Sequence, residues 1–262
     1  MDEIVEEKGA VSRQPLFWYI YSMQVLPAIS LRPFIRHYLF IENPVRTPIR
    51  FFSDGNPGIV FCDGEMILDG ECLPSSFAYG QISGFKDLYY AGSLLIVVFR
   101  PFGLHALTGI PATVLKDRFI DLSLIFRQPP GRETADEFFS GLQQAPCSLT
   151  QACINFIDQQ KGLVSLAQLQ DFSGYQERQL ERRFKVSVGI SPAKYCNIVR
   201  THTFLKSLRK DAAITPLVFE NGYFDQSHAI KDFKKLTGLT PRHYLHHNYP
   251  LASNFLSRNC TI

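Results

Sequence analysis

The stretch RRFKVSVGISPAKY, residues 182 to 195, returns 49 positions later as KDFKKLTGLTPRHY, residues 231 to 244. Phe, Lys, Gly, Pro and Tyr stand at identical places in the two copies, and Ile/Leu and Ser/Thr pairs fill two more. Chance is a poor explanation, so whatever unit one copy folds into, the other must fold into as well.

Each copy reads as a pair of short helices. In the first, Ser165 can cap a helix over LAQLQD, FSGY supplies a Gly-containing turn, and QERQLERRFKVSV continues as a second helix. There Leu180, Phe184 and Val188 recur every four residues as a buried stripe, and Arg178, Glu181, Arg182 and Lys185 share another face. The second copy places Ala229, Phe233 and Leu236 inward, with Ser227, Ile230, Lys231 and Lys234 outward and Gln226 at the exposed start. Between the copies, Ser191-Pro192 opens a helix in which Tyr195, Ile198, Val199, Leu205 and Leu208 keep phase. About 18 residues at ~1.5 Å each make a rod of ~27 Å, close to the ~34 Å between successive major-groove faces of B-DNA.

Charge agrees with that spacing. Residues 151 to 262 carry 15 Lys/Arg against 8 Asp/Glu, a balance of +7, whereas residues 1 to 150 carry 12 against 16, a balance of −4. The basic half suits a polyanion, and Arg, Gln and Lys near a helix start suit base edges in a major groove. The outward faces that carry Arg178, Glu181, Arg182 and Lys185 on one helix and Gln226, Ser227, Lys231 and Lys234 on the other can therefore hydrogen-bond in such a groove. Lys185, Arg200, Lys206 and Lys234 are the candidate phosphate contacts.

Up to about residue 100 the sequence reads as antiparallel β, with short runs such as HYLFI, IRFF, GIVFC, FAYGQI and LLIVVF set off by SDGNPG and CDGE. After RPFG the pattern turns helical through LHALTG and VLKDRFIDLSLIF, and the polar loop RQPPGRETADE leads to a boundary between 128 and 150. The expected chain is α+β in two domains. Residues 1–145 form an antiparallel β barrel or jelly-roll-like domain with flanking helices. Residues 149–247 form an all-α domain of two helix-turn-helix units joined by a long helix, and 248–262 form a tail.

FKVSVGISPAKY together with GYFDQSHAIKDFKKLTGLTPRHY resembles the DNA-binding domain of AraC/XylS-type transcriptional regulators over about 150 to 247. The resemblance implies that bases are read from Arg178, Glu181 and Arg182 in the first unit and from Gln226, Ser227 and Lys231 in the second. This sequence departs from the family at Val218 and Ala229, and Pro216 stands just before Val218. More loosely, LRPFIRHYLFIE, RFFSDGNPGIVF and VVFRPFGLHAL are similar to the β-rich sensor domains of such regulators. The implied partners are duplex DNA, a small-molecule effector, a second copy of the chain and RNA polymerase. Phe51, Phe52, Phe61, Tyr79 and Phe99 are the candidate effector-pocket residues.

Two rival classes fit the sequence less well. A metal-dependent cupin-like enzyme with an accessory nucleic-acid-binding domain needs clustered His and carboxylate ligands. His37 and His105 are the only histidines before residue 200 and no HxH pair occurs, so neither catalysis, a metal nor a cofactor is expected. HYLHH, with His243, His246 and His247, reads as a solvated cluster at a helix end. An RNA-binding or architectural protein lacks here the stacking platform it would need. The acidic start MDEIVEEKGAV has no apolar signal core, LLIVVF is too short to span a bilayer, and six Cys show no CxxC pair, so a cytoplasmic protein with reduced thiols is expected.

Overall fold

The structure, a computed structural model, describes residues 21–142, 148–209 and 213–246. The acidic start, the 248–262 tail and His247 lie outside the described residues, as does the stretch 143–147 within the expected domain boundary.

Among the described residues, the β-rich half is one antiparallel sheet of seven strands: β1 (Tyr21–Val25), β2 (Ile35–Phe52), β3 (Gly58–Leu68), β4 (Glu71–Cys72), β5 (Ser76–Tyr79), β6 (Phe85–Phe99) and β7 (Phe119–Asp121). Their order is β1-β2-β6-β3-β5-β7, with β4 on β3. The loop from β2 to β3 shows that this sheet is bent. Phe52 pairs with Phe85 near one end of β6, and Gly58 pairs with Val98 near the other. A straight β6 would hold these points about 43 Å apart, yet the chain from 52 to 58 reaches at most about 21 Å. The strand therefore doubles back.

The crease falls where two glycines oppose each other. Gly64 pairs with Gly92, at φ +134 and +119. A Cβ on Gly92 would lie 2.0 Å from the Asp63 carbonyl oxygen, and one on Gly64 would lie 2.2 Å from that of Ala91. The β2 ladder slips between Asn43 and Thr47, opposite the same line. Folded this way, the inner face gathers Leu39, Val60, Met66, Tyr79, Tyr90, Leu94 and Val98 from both sides of the crease. The expected barrel is thus realised as a folded but open sheet: among the described residues, no pairing joins β1 to β7.

The outer face, with Ile35, Phe52, Ile59, Phe61, Val97 and Phe99, belongs to a larger apolar cluster that continues without a break into the helices. Short helices α1 (Gly103–Thr108), α2 (Ala112–Leu115) and α3 (Ala135–Ser140) lie along the way. Phe139 of α3 meets Phe99 edge to face at 5.3 Å. The helical expectation for VLKDRFIDLSLIF fails in part: α2 ends at Leu115, after Asp117 at φ +56 the chain turns into β7, paired with β5, and helix returns only as a 3-10 turn over Leu122–Leu124. An apolar run this short fits either period, and pairing with a sheet edge decides it.

Among the described residues, seven helices follow: α4 (Ser148–Gln159), α5 (Leu166–Ser173), α6 (Glu177–Val188), α7 (Pro192–Ser207), α8 (Ile214–Glu220), α9 (Gln226–Thr237) and α10 (Pro241–His246). Ser165 and Gln168 cap α5 reciprocally, and the Ser191 hydroxyl accepts from the Lys194 N–H with Pro192 in the first turn of α7. Pro216 is the third residue of α8, where its missing N–H has no partner to lose.

Candidate nucleic-acid interface

The repeat proves to be a helix, its cap and the opening of the next helix. Phe184 and Phe233 are both fully buried. Gly189 and Gly238 end α6 and α9 in the left-handed conformation at φ +89 and +76, which a side chain rarely adopts. Ser191 and Thr240 then cap the following helices, each hydroxyl accepting a backbone N–H three residues on. Around Phe233 the second unit builds an aromatic cluster with Phe204, Tyr223 and Tyr244 at 5.6 to 6.0 Å. Val218 and Ala229, the departures in this unit, are wholly buried beside it.

Both of these helices rest their C-terminal ends on the sheet half. A Cβ on Gly189 would lie 3.1 Å from the Ala112 carbonyl oxygen of α2, and one on Gly238 would lie 2.4 Å from the ring of Phe85. The middle of the connecting helix α7 is held by the loop from β2 to β3. His202 stacks on Phe52 at 5.7 Å, and its Nε2–H donates to the Ser53 carbonyl at 2.9 Å. Burial keeps this imidazole below its usual pKa. Gly55, at φ +90, lets the Tyr195 ring close to 2.8 Å of where a Cβ would stand. The loop is braced from behind: Ser53 donates to Gln81 at 2.9 Å and Gln81 donates to the Gly55 carbonyl at 2.6 Å. With both C-termini held against the sheet half, the N-terminal ends of α6 and α9 lead away from it.

Those ends carry the expected readers. Arg178, Arg182, Gln226, Ser227 and Lys231 are exposed, and Glu181 is half-buried, accepting a hydrogen bond from Lys185 at 3.2 Å one turn on. The Asp225 carboxylate caps α9 by accepting the His228 N–H at 2.7 Å. Of the expected phosphate contacts, Lys185 and Lys234 are exposed on the two helices.

The other two stand elsewhere. Arg200 is turned inward, with Nη2 3.1 Å from Asp232 Oδ2 and the guanidinium 4.6 Å over the Tyr223 ring, so it ties α7 to α9 instead of standing free for phosphate. Lys206 is exposed on the last turn of α7, within electrostatic reach of Arg36, Asp54 and Asp158; partial burial first and Arg36 next lower its pKa. Sequence reasoning missed Asp232 because it reads as one more charge on a helix face.

The expected effector-pocket residues divide between the two faces of the sheet. Phe51 and Tyr79 meet edge to face at 5.2 Å on the inner face. Phe52, Phe61 and Phe99 are on the outer face, packed toward the helices. His37 is buried on the inner face opposite Val98, whereas His105 Nδ1 meets the Ile110 carbonyl at 2.8 Å on α1. Among the described residues, no group of three His, Cys, Asp or Glu side chains is arranged to hold a metal. No helix among them is long and apolar enough to cross a membrane.

A family model described as a helix-turn-helix domain matches residues 170–247, from within α5 to just past α10. Residues 170–247 are an AraC-type helix-turn-helix domain. A second model, described as a domain of unknown function (DUF6597), matches residues 23–121, from within β1 to the end of β7. Curated relatives from Staphylococcus aureus, described as uncharacterized HTH-type transcriptional regulators, are 29% identical over 82 residues. That match takes in 31% of this chain and 11% of theirs. Among solved structures, ToxT from Vibrio cholerae is similar at TM-score 0.43 and 11% identity, over 80% of this chain and 96% of that one. ToxT bound to (E)-4-(8-methylnaphthalen-1-yl)but-3-enoic acid is similar at TM-score 0.43 and 10% identity, over 80% and 97%. At these scores the likeness to ToxT bears no weight for this chain.

Proposed function

We propose that this protein is a sequence-specific DNA-binding transcriptional regulator that places α6 and α9 in two neighbouring major grooves. The observation that carries the reading is the doubled mount: two copies of one motif, both helix C-termini held against the sheet half, both polar N-terminal ends free. α7, at 16 residues, separates the copies by about 24 Å of helix, which suits successive groove faces.

In this reading Arg178, Glu181, Arg182, Gln226, Ser227 and Lys231 meet base edges, and Lys185 and Lys234 meet phosphates. Arg182 can bond guanine O6 and N7 through both guanidinium arms, while Glu181, tied to Lys185, accepts from cytosine N4 and discriminates without adding affinity. The division into 1–145, 149–247 and 248–262 belongs to the same proposal, with 1–145 as a sensing and self-associating part. Phe51 and Tyr79, on the inner face of the sheet, are the effector-facing pair that remains. A regulator of this kind works in the cytoplasm, in contact with RNA polymerase and without an enzymatic step.

Competition between duplex DNA and RNA of matched sequence, repeated from 50 to 200 mM salt, tests the core of the reading. Preference for duplex DNA with a steep linear fall of log affinity against log salt is expected. Equal competition by RNA, or salt-insensitive binding, refutes it.

A further inference from the structure

The two copies differ in one place that the shared pattern does not explain. Residues 175 and 224 are equivalent, 49 positions apart, and both are aromatic rings in the turn before a reading helix. In the first copy the ring is covered: the Arg183 guanidinium lies 4.8 Å over Tyr175, which is half-buried. The residue equivalent to Arg183 in the second copy is Asp232, which is turned to Arg200. Nothing of that kind covers Phe224, and at 87% exposure it is the most exposed large apolar side chain among the described residues.

Packing within the turn does not use it either. Phe224 stands immediately before the helix cap Asp225, where an apolar residue can fold back on the fourth residue of the helix. That fourth residue is Ala229, fully buried and too short to reach out to a ring that remains in solvent. The ring is therefore left beside Gln226 and Ser227, two residues before the first of the proposed base readers.

We propose that Phe224 is a specificity-determining residue that makes apolar contact with the 5-methyl group of a thymine at the edge of the groove entered by α9. This rests on the DNA-binding reading above. The chemistry fits: a thymine methyl is the one apolar group a base presents in the major groove, and a phenyl ring is a recognised partner for it. Phe224 adds to the second unit a contact that the first unit has already spent on its own arginine.

The test uses the full-length chain and a duplex selected for tight binding. Each thymine in the half bound by α9 is replaced in turn by deoxyuridine, which lacks only the methyl. At one position the replacement should weaken the wild-type chain about fourfold, the worth of one buried methyl group. The same replacement should leave Phe224→Ala unaffected, and Phe224→Leu should keep part of the discrimination. Because the ring is exposed, Phe224→Ala should unfold at the wild-type temperature, so a loss of binding is not a loss of fold. Two outcomes overturn the proposal: Phe224→Ala binding as tightly as wild type, or losing affinity equally on thymine and deoxyuridine at every position. If the wild-type chain prefers no duplex over RNA, the DNA-binding reading falls first and this contact with it.

Discussion

Replacing Arg200 with Ala separates two accounts of the connecting helix. As a phosphate contact on an exposed rod, its loss would leave stability unchanged, weaken binding to all sequences and lower the salt slope by about one unit. The structure points to a different loss. The side chains of Arg200 and Asp232 are 21% and 13% exposed, so the pair lies between a surface bridge and a buried one. Surface pairs contribute roughly 0–1 kcal/mol, and breaking a buried pair costs about 3–5 kcal/mol because the remaining charge is stranded. With solvent reaching a fifth of the arginine, and with the lost contact over Tyr223 adding about 0.5–1 kcal/mol, we expect a cost of about 2–3 kcal/mol. The assay is urea unfolding of the wild type, Arg200→Ala, Asp232→Ala and the double variant. The double variant should recover at least ~1 kcal/mol relative to additivity, since it strands no charge. An unchanged urea midpoint for Arg200→Ala, together with a salt slope lowered by one, would refute the inward assignment and restore the phosphate contact.

Gly92→Ala should destabilise the folded sheet by more than ~2 kcal/mol in thermal or urea unfolding, because a Cβ there stands 2.0 Å from the Asp63 carbonyl at a φ of +119. An unchanged midpoint would mean that the crease lies elsewhere. Burial brings the His37 imidazole down to about 4, so the folded chain holds it neutral while the unfolded chain protonates it below pH ~6.5. Its stabilisation is complete above pH ~6.5 and is lost as pH falls to about 4, by roughly 3 kcal/mol; His37→Leu should flatten urea midpoints across that window. Phe52→Ala removes a fully buried ring from the face that meets His202 and should cost about 3–5 kcal/mol in urea unfolding, a loss that a solvent-facing position would not show.

What the sequence makes legible here is what is local. Ser165, Ser191, Gly189 and Gly238 act within a turn of themselves, so the caps and ends of α5, α6, α7 and α9 follow from reading along the chain. The exposure of Arg178, Arg182, Gln226, Ser227 and Lys231 follows from the same periodicity, since exposure on a short amphipathic helix depends on phase. The crease is not local: Gly64 and Gly92 look like ordinary strand glycines until the register sets them opposite each other. Pairing across distance also hides the role of Arg200, whose partner is 32 residues away, and the division of the five aromatics between two faces of one sheet. Phe51 and Phe52 are neighbours in sequence and therefore point to opposite sides of the strand, so they could never have shared a pocket.

Base-resolved footprinting of the full-length chain on a selected duplex tests the central claim most directly. Two protected major-groove patches about one helical turn apart are expected, with Arg182→Ala relaxing preference at one base pair in the first patch and Gln226→Ala at one in the second. A single patch, or two patches that either variant weakens uniformly without any change in base preference, would contradict the account.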